Sequence, residues 1–499
     1  MDQTQVAKRT SASWISWLGI AITVLVGLGA AMGIGSLLSS ADWSDAVRFV
    51  GLGSVLITIL ISPINGLFLW LILEPFTIFW YLNIHMPSGI PDLSLSRLSV
   101  ALLCVVWLAQ LATRKRHLRR FGMVEVAMFL VCLFMIPSLS ASLGGINSTL
   151  QLVLDKFIAP FLFFVLAKNL YDENKGIDKL TAVLMVIELY LCFVLFYEHL
   201  TGQPLFYTPG RTMVYTRHLR KIVGLLQNAA FLATILAMIA PIAFYRFKRA
   251  KTPFSRFTYG GMFALAVIGN YACYNRGAWL ALAAGLLVMI LLEPEYRRVL
   301  LPIVVIVACL VVIYSEDVSQ STIVTERLSN VNSIRFRLNL LEVSLRMARE
   351  NPLFGVGFGN FASYYIQYGG HWELMAWDLP TPHNTYVLVL TTMGLVTLLP
   401  YVTIFLAMML EMIAMTHRTW REFGADRALL VSACASVAAY AVSAAAIDIY
   451  ANNFTTLVLF AIGGTTLGYV SHLREEHRRR LLSDSRAIAA LPGTSEAQR

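Results

Sequence analysis

Residues 380–400 read PTPHNTYVLVLTTMGLVTLLP. Two prolines flank Thr381, His383 and Asn384 follow, and from Thr385 the chain turns apolar for long enough to cross a bilayer, which takes about 20 residues. The apolar part is a membrane helix, and His383 is expected at its mouth. Upstream, from Ser333, lies the longest stretch that hydrocarbon could not hold. Between Ser333 and Asn351, Ile334, Leu338, Leu341 and Leu345 recur at helical spacing, with Arg335, Glu342, Arg346 and Arg349 on the neighbouring flank. This spacing predicts an amphipathic helix resting its leucines on something apolar. Pro352 and the alternating Gly355, Gly357 and Gly359 end it, because proline breaks the helical ladder and glycine accepts backbone angles other residues avoid. The aromatic run Phe361, Tyr364, Tyr365, Tyr368, Trp372 and Trp377 then leads to His383. It suits two roles equally, stacking on sugar faces or forming an interfacial belt.

The remainder of the chain is more apolar still. With 57% hydrophobic and 14% charged residues, it lies well below the roughly 25% charge of soluble domains. The predicted fold class is all-α, a polytopic transmembrane bundle of about 12–14 helices with one large outward loop holding the amphipathic helix. Apolar runs fall at 14–38, 47–61, 66–84, 98–112, 122–141, 153–170, 180–199, 223–244, 258–274, 277–293, 299–314, 385–412, 428–447 and 453–470. The second and third are separated only by Ser62 to Asn65, which could merge them. Four regions follow: N-terminal membrane helices over 1–314, the outward loop over 315–384, C-terminal membrane helices over 385–470, and a basic tail over 471–499 expected to lack structure after Arg480. The first run is too long for a signal-peptide core and should remain as a helix. All six cysteines sit in apolar runs, so neither a structural disulfide nor a zinc site is expected.

Charge orients the bundle. Cytoplasmic connections carry the lysine and arginine excess. Beginning with Lys8 and Arg9 inside, the inward connections hold Arg114 to Arg120, Lys168 with Lys175, Arg246 to Arg256, Arg297 with Arg298, Arg418 with Arg421, and Arg474 to Arg480. Only the Ser62 to Asn65 turn lacks a cation. Both termini are therefore expected in the cytoplasm. The net charge of +10 is accounted for by these loops, and nucleic acid is not an expected partner.

Three outward segments break the charge rule: Arg211, Arg217, Arg220 and Lys221 after the seventh run, Arg276 in the Asn275-Arg276-Gly277 turn, and Arg335 with Arg337. A guanidinium near hydrocarbon, costing about 2.5–3.5 kcal/mol at mid-depth, calls for an anion, although a snorkelling side chain would also account for any one of them. Guanidinium forks hold phosphate oxygens through paired charge-assisted bonds, so converging arginines would suit a lipid diphosphate. The chain contains no GxxxxGK loop for ATP, and the free energy must arrive with the substrate. A histidine can take the proton of an attacking hydroxyl. His383 is the best placed, His371 competes, and a role for His383 as a helix cap stands as the bland alternative. Asp42 and Asp45 form an outward acidic pair of the kind that binds a divalent ion, yet such pairs also occur by chance.

In order along the chain, several segments resemble the O-antigen ligase and O-antigen polymerase superfamily of bacterial membrane glycosyltransferases. Arg337 to Leu341 followed by Pro352-Leu353-Phe354-Gly355-Val356-Gly357 resembles its Arg-x-x-x-Trp and Pro-x-x-Gly-x-Gly segments. Asn275-Arg276-Gly277 resembles its Ser-Arg-Gly turn, His383-Asn384 its His-Asn pair, and Lys221-Ile222-Val223-Gly224 with Asn228 its Arg-x-x-Gly and following Asn. The matches span about 220–400. Departures are Thr392 where the family often has glutamate, Thr397 for a later glycine, Leu341 for tryptophan, and Lys221 for arginine.

The resemblance implies a GT-C-like bundle in the bacterial inner membrane with a periplasmic active site. It implies inverting, metal-independent and cofactor-free glycosyl transfer from an undecaprenyl-diphosphate-linked glycan, in the synthesis of lipopolysaccharide or exopolysaccharide in the cell envelope. His383 and Arg276 would be catalytic. Arg217, Arg220, Lys221, Arg276 and Arg337 would bind the diphosphate, with Asn384, Gly355 and Gly357 as structural support. Partners would be the lipid-linked donor, a glycan or lipid A core acceptor, membrane lipids and polysaccharide assembly proteins. Ligase and repeat-unit polymerase both fit. A lipid-linked oligosaccharide transporter fits less well, because transporters tend to show repeated halves and ionisable groups at mid-membrane.

Overall fold

The computed structural model describes residues 43–77, 83–84, 93–172, 175–206, 215–216, 219–220, 224–313, 331–370, 380–417, 424–449 and 452–489. The first apolar run, Asp42, Arg211, Arg217, Lys221, His371, Trp372 and Trp377 lie outside them, and Arg220 is described through its backbone alone.

The helices in chain order are α1 (Trp43–Ile61), α2 (Pro63–Leu73), α3 (Leu95–Ala112), α4 (Met123–Phe134), α5 (Ile136–Ser140), α6 (Ile146–Val153), α7 (Ala159–Asn169), α8 (Gly176–Thr201), α9 (Ala229–Arg249), α10 (Pro253–Ala272), α11 (Arg276–Leu292), α12 (Pro294–Ile313), α13 (Val331–Glu350), α14 (Phe361–Tyr364), α15 (Thr385–Ala414), α16 (Arg427–Ala444) and α17 (Asn453–Ala489). Two short antiparallel ladders interrupt them, β1 (Asn83–Ile84) with β2 (Leu93–Ser94) and β3 (Tyr215–Thr216) with β4 (Leu219–Arg220). Among the described residues, eight helical spans are long and apolar enough to cross a membrane. The chain is an all-α, polytopic membrane bundle.

Local chemistry sets the helix starts. The side chain of Asn228 accepts from the Ala230 N–H at 2.9 Å, Asn275 from Ala278 at 2.9 Å, Asn384 from Tyr386 at 3.0 Å, and Asp426 from Ala428 at 3.1 Å. Each satisfies a donor that the first helical turn leaves open. Within hydrocarbon an open donor has no water to turn to, so a polar cap at the membrane rim matters more than in a soluble protein.

α9, α16 and α17 form the centre and are buried on almost every side. The alanine- and serine-rich face of α16 lets backbones approach closely. The Ser436 hydroxyl donates to the Met238 carbonyl at 2.6 Å, and the Thr234 and Ser443 hydroxyls meet at 2.6 Å. Outer helices expose Val105, Phe129, Phe193, Leu280, Leu287, Leu406 and Leu410, which is the surface a bilayer would cover.

Three readings are refined. Within the protein α13 packs through Leu340, Val343 and Met347, which are buried against Phe361, Tyr365 and Leu388, whereas Leu338, Leu341 and Leu345 face outward. The helix is apolar on two sides, and periodicity alone does not choose between them. The tail is helical as far as Ala489. It is held by pairs of Arg474 with Glu411 at 3.2 Å and of Glu476 with Arg480 one turn apart. Finally, the cation-free turn at Ser62 falls into place, since Ser62 and Ile64 line one cavity with Lys115, Arg116, His117 and Arg119. α1 and α2 are separate helices meeting at the basic end of the bundle.

Candidate functional site

The site is assembled at the end of the bundle where α11 and α15 begin and where α16 hands over to α17. At α11, Tyr274 takes a left-handed backbone (φ 49°), Asn275 caps, and Arg276 is the first helical residue, half-buried. A Cβ on Gly277 would come within 2.5 Å of the Ala446 Cβ, so only glycine lets this helix start nest against the loop between α16 and α17.

That same loop is stitched to the start of α15. The Thr385 hydroxyl donates to the Ile447 carbonyl at 2.8 Å and accepts from the Ile449 N–H at 2.9 Å. Between them, Asp448 is buried, and its Oδ2 accepts the backbone N–H of His383 at 3.2 Å. The His383 Nδ1 lies 3.9 Å from the same oxygen. His383 itself holds φ 51°, a left-handed conformation that histidine, asparagine and aspartate visit more readily than most residues. Its ring meets the edge of Phe336 on α13 with centroids 6.1 Å apart. Beside Phe336 stands Arg337.

The electrostatics tie the four residues together. Desolvation lowers the pKa of Arg337, the charge of Arg276 lowers it further, and Asp448 acts in the opposite direction. The two guanidinium groups therefore lie near enough to act on each other. Burial raises the pKa of Asp448, opposed by the Thr381 side chain, the charge of His383 and the backbone N–H groups of His383 and Asn384. The positive ends of α11 and α15 add to the same field. The arrangement offers a place for an anion next to an imidazole with a carboxylate close by.

The glycine turn supports the site from beneath. Gly394 breaks α15 with φ 79° and ψ 176°, and the segment from Pro352 to Gly357 fills the break. The N–H groups of Val356 and Gly357 donate to the carbonyls of Thr391 and Thr392, and those of Leu395 and Val396 to Pro352 and Leu353. Gly355 stands with φ 67° against the Thr392 and Met393 backbone, and Gly357 with φ 103° against Ala141. Side chains at these positions would push the segment out. Thr392, where the resembled family often has glutamate, is buried, with its hydroxyl folded onto the Leu388 carbonyl at 2.7 Å. Of the aromatic run, Phe361 and Tyr365 are core, and the Tyr365 hydroxyl donates to Asn339 at 2.7 Å. Neither the stacking nor the belt role applies to those two.

Arg276, Arg337, His383 and Asn384 are thus brought to one end of the bundle. Arg217, Lys221 and the Arg220 side chain lie outside the description; after them, Glu198, buried at the end of α8, accepts the Gly224 N–H at 2.9 Å. Sequence reasoning missed the roles of Asp448 and Glu198. An acid in an outward loop was the only signal for the first, and nothing in spacing links residues 65 positions apart. Glu198 reads as one polar residue at the end of an apolar run.

Residues 261–402 match the family model described as O-antigen ligase. The match supports the O-antigen ligase and polymerase superfamily. The matched segment contains Arg276, Arg337, Gly355, Gly357 and His383, and it ends before Asp448. A comparison with curated proteins gives no match. Together with the membrane helices, the match supports a membrane protein of polysaccharide biosynthesis with a glycosyltransferase-like activity.

Proposed function

We propose that the protein transfers a glycan from an undecaprenyl-diphosphate carrier to an acceptor hydroxyl, at the periplasmic face of the bacterial inner membrane, as an O-antigen ligase. The observation carrying this reading is the convergence of Arg276 and Arg337, whose like charges act on each other, beside the His383 and Asp448 pair. Two cations that act on each other call for a divalent anion, and a diphosphate leaving group supplies one.

In this mechanism Arg276 and Arg337 grip the diphosphate, with Arg220 and Lys221 as further ligands to it. The acceptor oxygen attacks the anomeric carbon from the face opposite the carrier. The bond between that carbon and the diphosphate oxygen breaks, and its electron pair leaves with the diphosphate, where the guanidinium groups stabilise the growing charge. His383 takes the acceptor proton. Asp448 holds the imidazole and stabilises its protonated form, closing the present 3.9 Å separation as the substrate docks. No ATP and no metal takes part. The basic loops at the other end of the bundle support the orientation, with both termini cytoplasmic.

The test is reconstitution of purified protein in proteoliposomes with an undecaprenyl-diphosphate-linked glycan and candidate acceptors. Transfer to a lipid A core acceptor supports the ligase reading. Extension of one carrier-bound glycan by another would reassign the site to polymerisation, and movement of the donor without transfer would overturn the enzyme reading.

A further inference from the structure

At the opposite end of the bundle, roughly 40 Å from His383 at 1.5 Å per residue along α15, lies a cavity of about 500 Å³. The turn between α1 and α2, the loop after α3, the ends of α7 and α8, and the extension of α17 enclose it. Lys115, Arg116, Arg119, Lys179 and Arg479 line it with His117, against two carboxylates, Asp172 and Glu475. Asp172 is already taken, since it pairs with Lys179 at 3.0 Å.

The chain builds this concentration of charge deliberately. Arg114 ends α3 in a left-handed conformation, φ 54°, which an arginine adopts only at a cost. That turn lets the N–H groups of Lys115 and Arg116 both return to the Gln110 carbonyl, at 2.9 and 3.2 Å. Arg116 is then fixed by Gln110 at 3.1 Å, and the buried Arg119 donates to the Gly468 carbonyl at 2.9 Å and lies over the Tyr171 ring. Among the described residues, ion pairs at this end join Lys179 to Asp172 and Arg474 to Glu411, and none includes Lys115 or Arg479. Loops that only set topology need cations; they need neither a strained turn nor a cavity into which those cations face.

The same loop exposes Leu118 and Phe121, and Met123 is exposed as the next helix opens. Apolar side chains so close to the cationic group place the cavity at the bilayer surface. A second cavity of about 250 Å³ adjoins it across α17, lined by Arg120, Lys168, Arg474 and Arg478 with Glu411, which pairs with Arg474 at 3.2 Å, and Glu475 borders both. We propose that the larger cavity is a binding site for the phosphate headgroup of an anionic phospholipid from the leaflet at the basic end, with the acyl chains lying along Leu118 and Phe121. Cationic pockets between membrane helices at the cytoplasmic surface suit such headgroups. The site is separate from the proposed glycosyl transfer.

Detergent-purified protein, stripped of lipid, would be titrated with cardiolipin, phosphatidylglycerol, phosphatidylethanolamine and inorganic phosphate. Native mass spectrometry would read binding, and thermal denaturation would read stabilisation. The expected result is retention of cardiolipin or phosphatidylglycerol, no comparable binding of phosphatidylethanolamine, and apparent affinity at least about tenfold lower in Lys115→Ala/Arg479→Ala. The variant Arg298→Ala, with its cation at the same end but outside the cavity, should bind as the wild type does. Equal binding of phosphatidylethanolamine, stabilisation by inorganic phosphate as large as by lipid, or an equal loss in Arg298→Ala would overturn the proposal. Should the double variant fail to fold, the lipid series on the wild type and on Lys115→Arg, expected to bind normally, decides alone. Glycosyl transfer by the wild type tests the other reading independently.

Discussion

The backbone N–H of His383 donates to Oδ2 of Asp448 at 3.2 Å, and Nδ1 of the same histidine stands 3.9 Å from that oxygen. One carboxylate thus holds the left-handed turn that opens α15 and lies close to the imidazole carried on it. Asp448→Asn should keep much of the backbone contact and lose the charge. The expected outcome is normal expression and a fall in transfer of about tenfold to a hundredfold, within the range for groups that orient an acid–base residue. The measurement is initial rate in proteoliposomes at saturating donor.

The raised pKa of Asp448 gives this residue a pH signature. Burial makes the folded protein bind the proton at higher pH than the unfolded chain, whose aspartate titrates near 3.8. Ionised Asp448 therefore costs stability above its folded pKa, and that cost is relieved as pH falls through the folded value towards the unfolded one. Thermal denaturation in detergent should show the wild type gaining stability relative to Asp448→Asn on acidification across that window. Activity should move the other way, because protonated Asp448 no longer balances His383, and the part of the acid limb that Asp448 contributes should be absent in Asp448→Asn, leaving the part due to protonation of the base His383.

The charge of Arg276 acts against that of Arg337. Replacing either by alanine should remove that repulsion, while transfer falls by about 10²-fold or more, the scale seen when one group stabilising developing charge is removed. Lysine at either place keeps the charge and loses the fork, so an intermediate rate is expected. Activity and denaturation midpoints measured on the same preparations separate the two effects.

The glycine turn is a matter of fold and not of chemistry. A Cβ on Gly394 would lie 1.9 Å from the Leu353 carbonyl oxygen, at a φ of 79°. Gly394→Ala should therefore lose several kcal/mol of stability, as expected when backbone strain and a clash coincide, and should appear as poor membrane yield and a lowered denaturation midpoint.

Much of this could be read before the fold was known. Chain composition and the apolar runs announce a helical membrane bundle because hydrocarbon leaves the backbone few other choices. The caps at Asn275 and Asn384, and the glycines of the turn, are local signals with local causes. The face by which α13 packs on the protein was not legible because Leu338, Leu341 and Leu345 repeat as regularly as Leu340, Val343 and Met347. Only the neighbouring Phe361 and Tyr365 decide which set is covered. Asp448 was illegible as a partner of His383 because their meeting depends on how α15, α16 and α17 pack, and the sequence carries no mark of that distance.

The most direct test of glycosyl transfer at this site is the rate at which purified protein in proteoliposomes moves a glycan from an undecaprenyl-diphosphate donor to an acceptor, compared with folded His383→Ala. Wild-type transfer, reduced about 10² to 10⁴-fold in the variant as expected for loss of a general base, is the predicted result. Equal transfer by the two proteins would contradict the account.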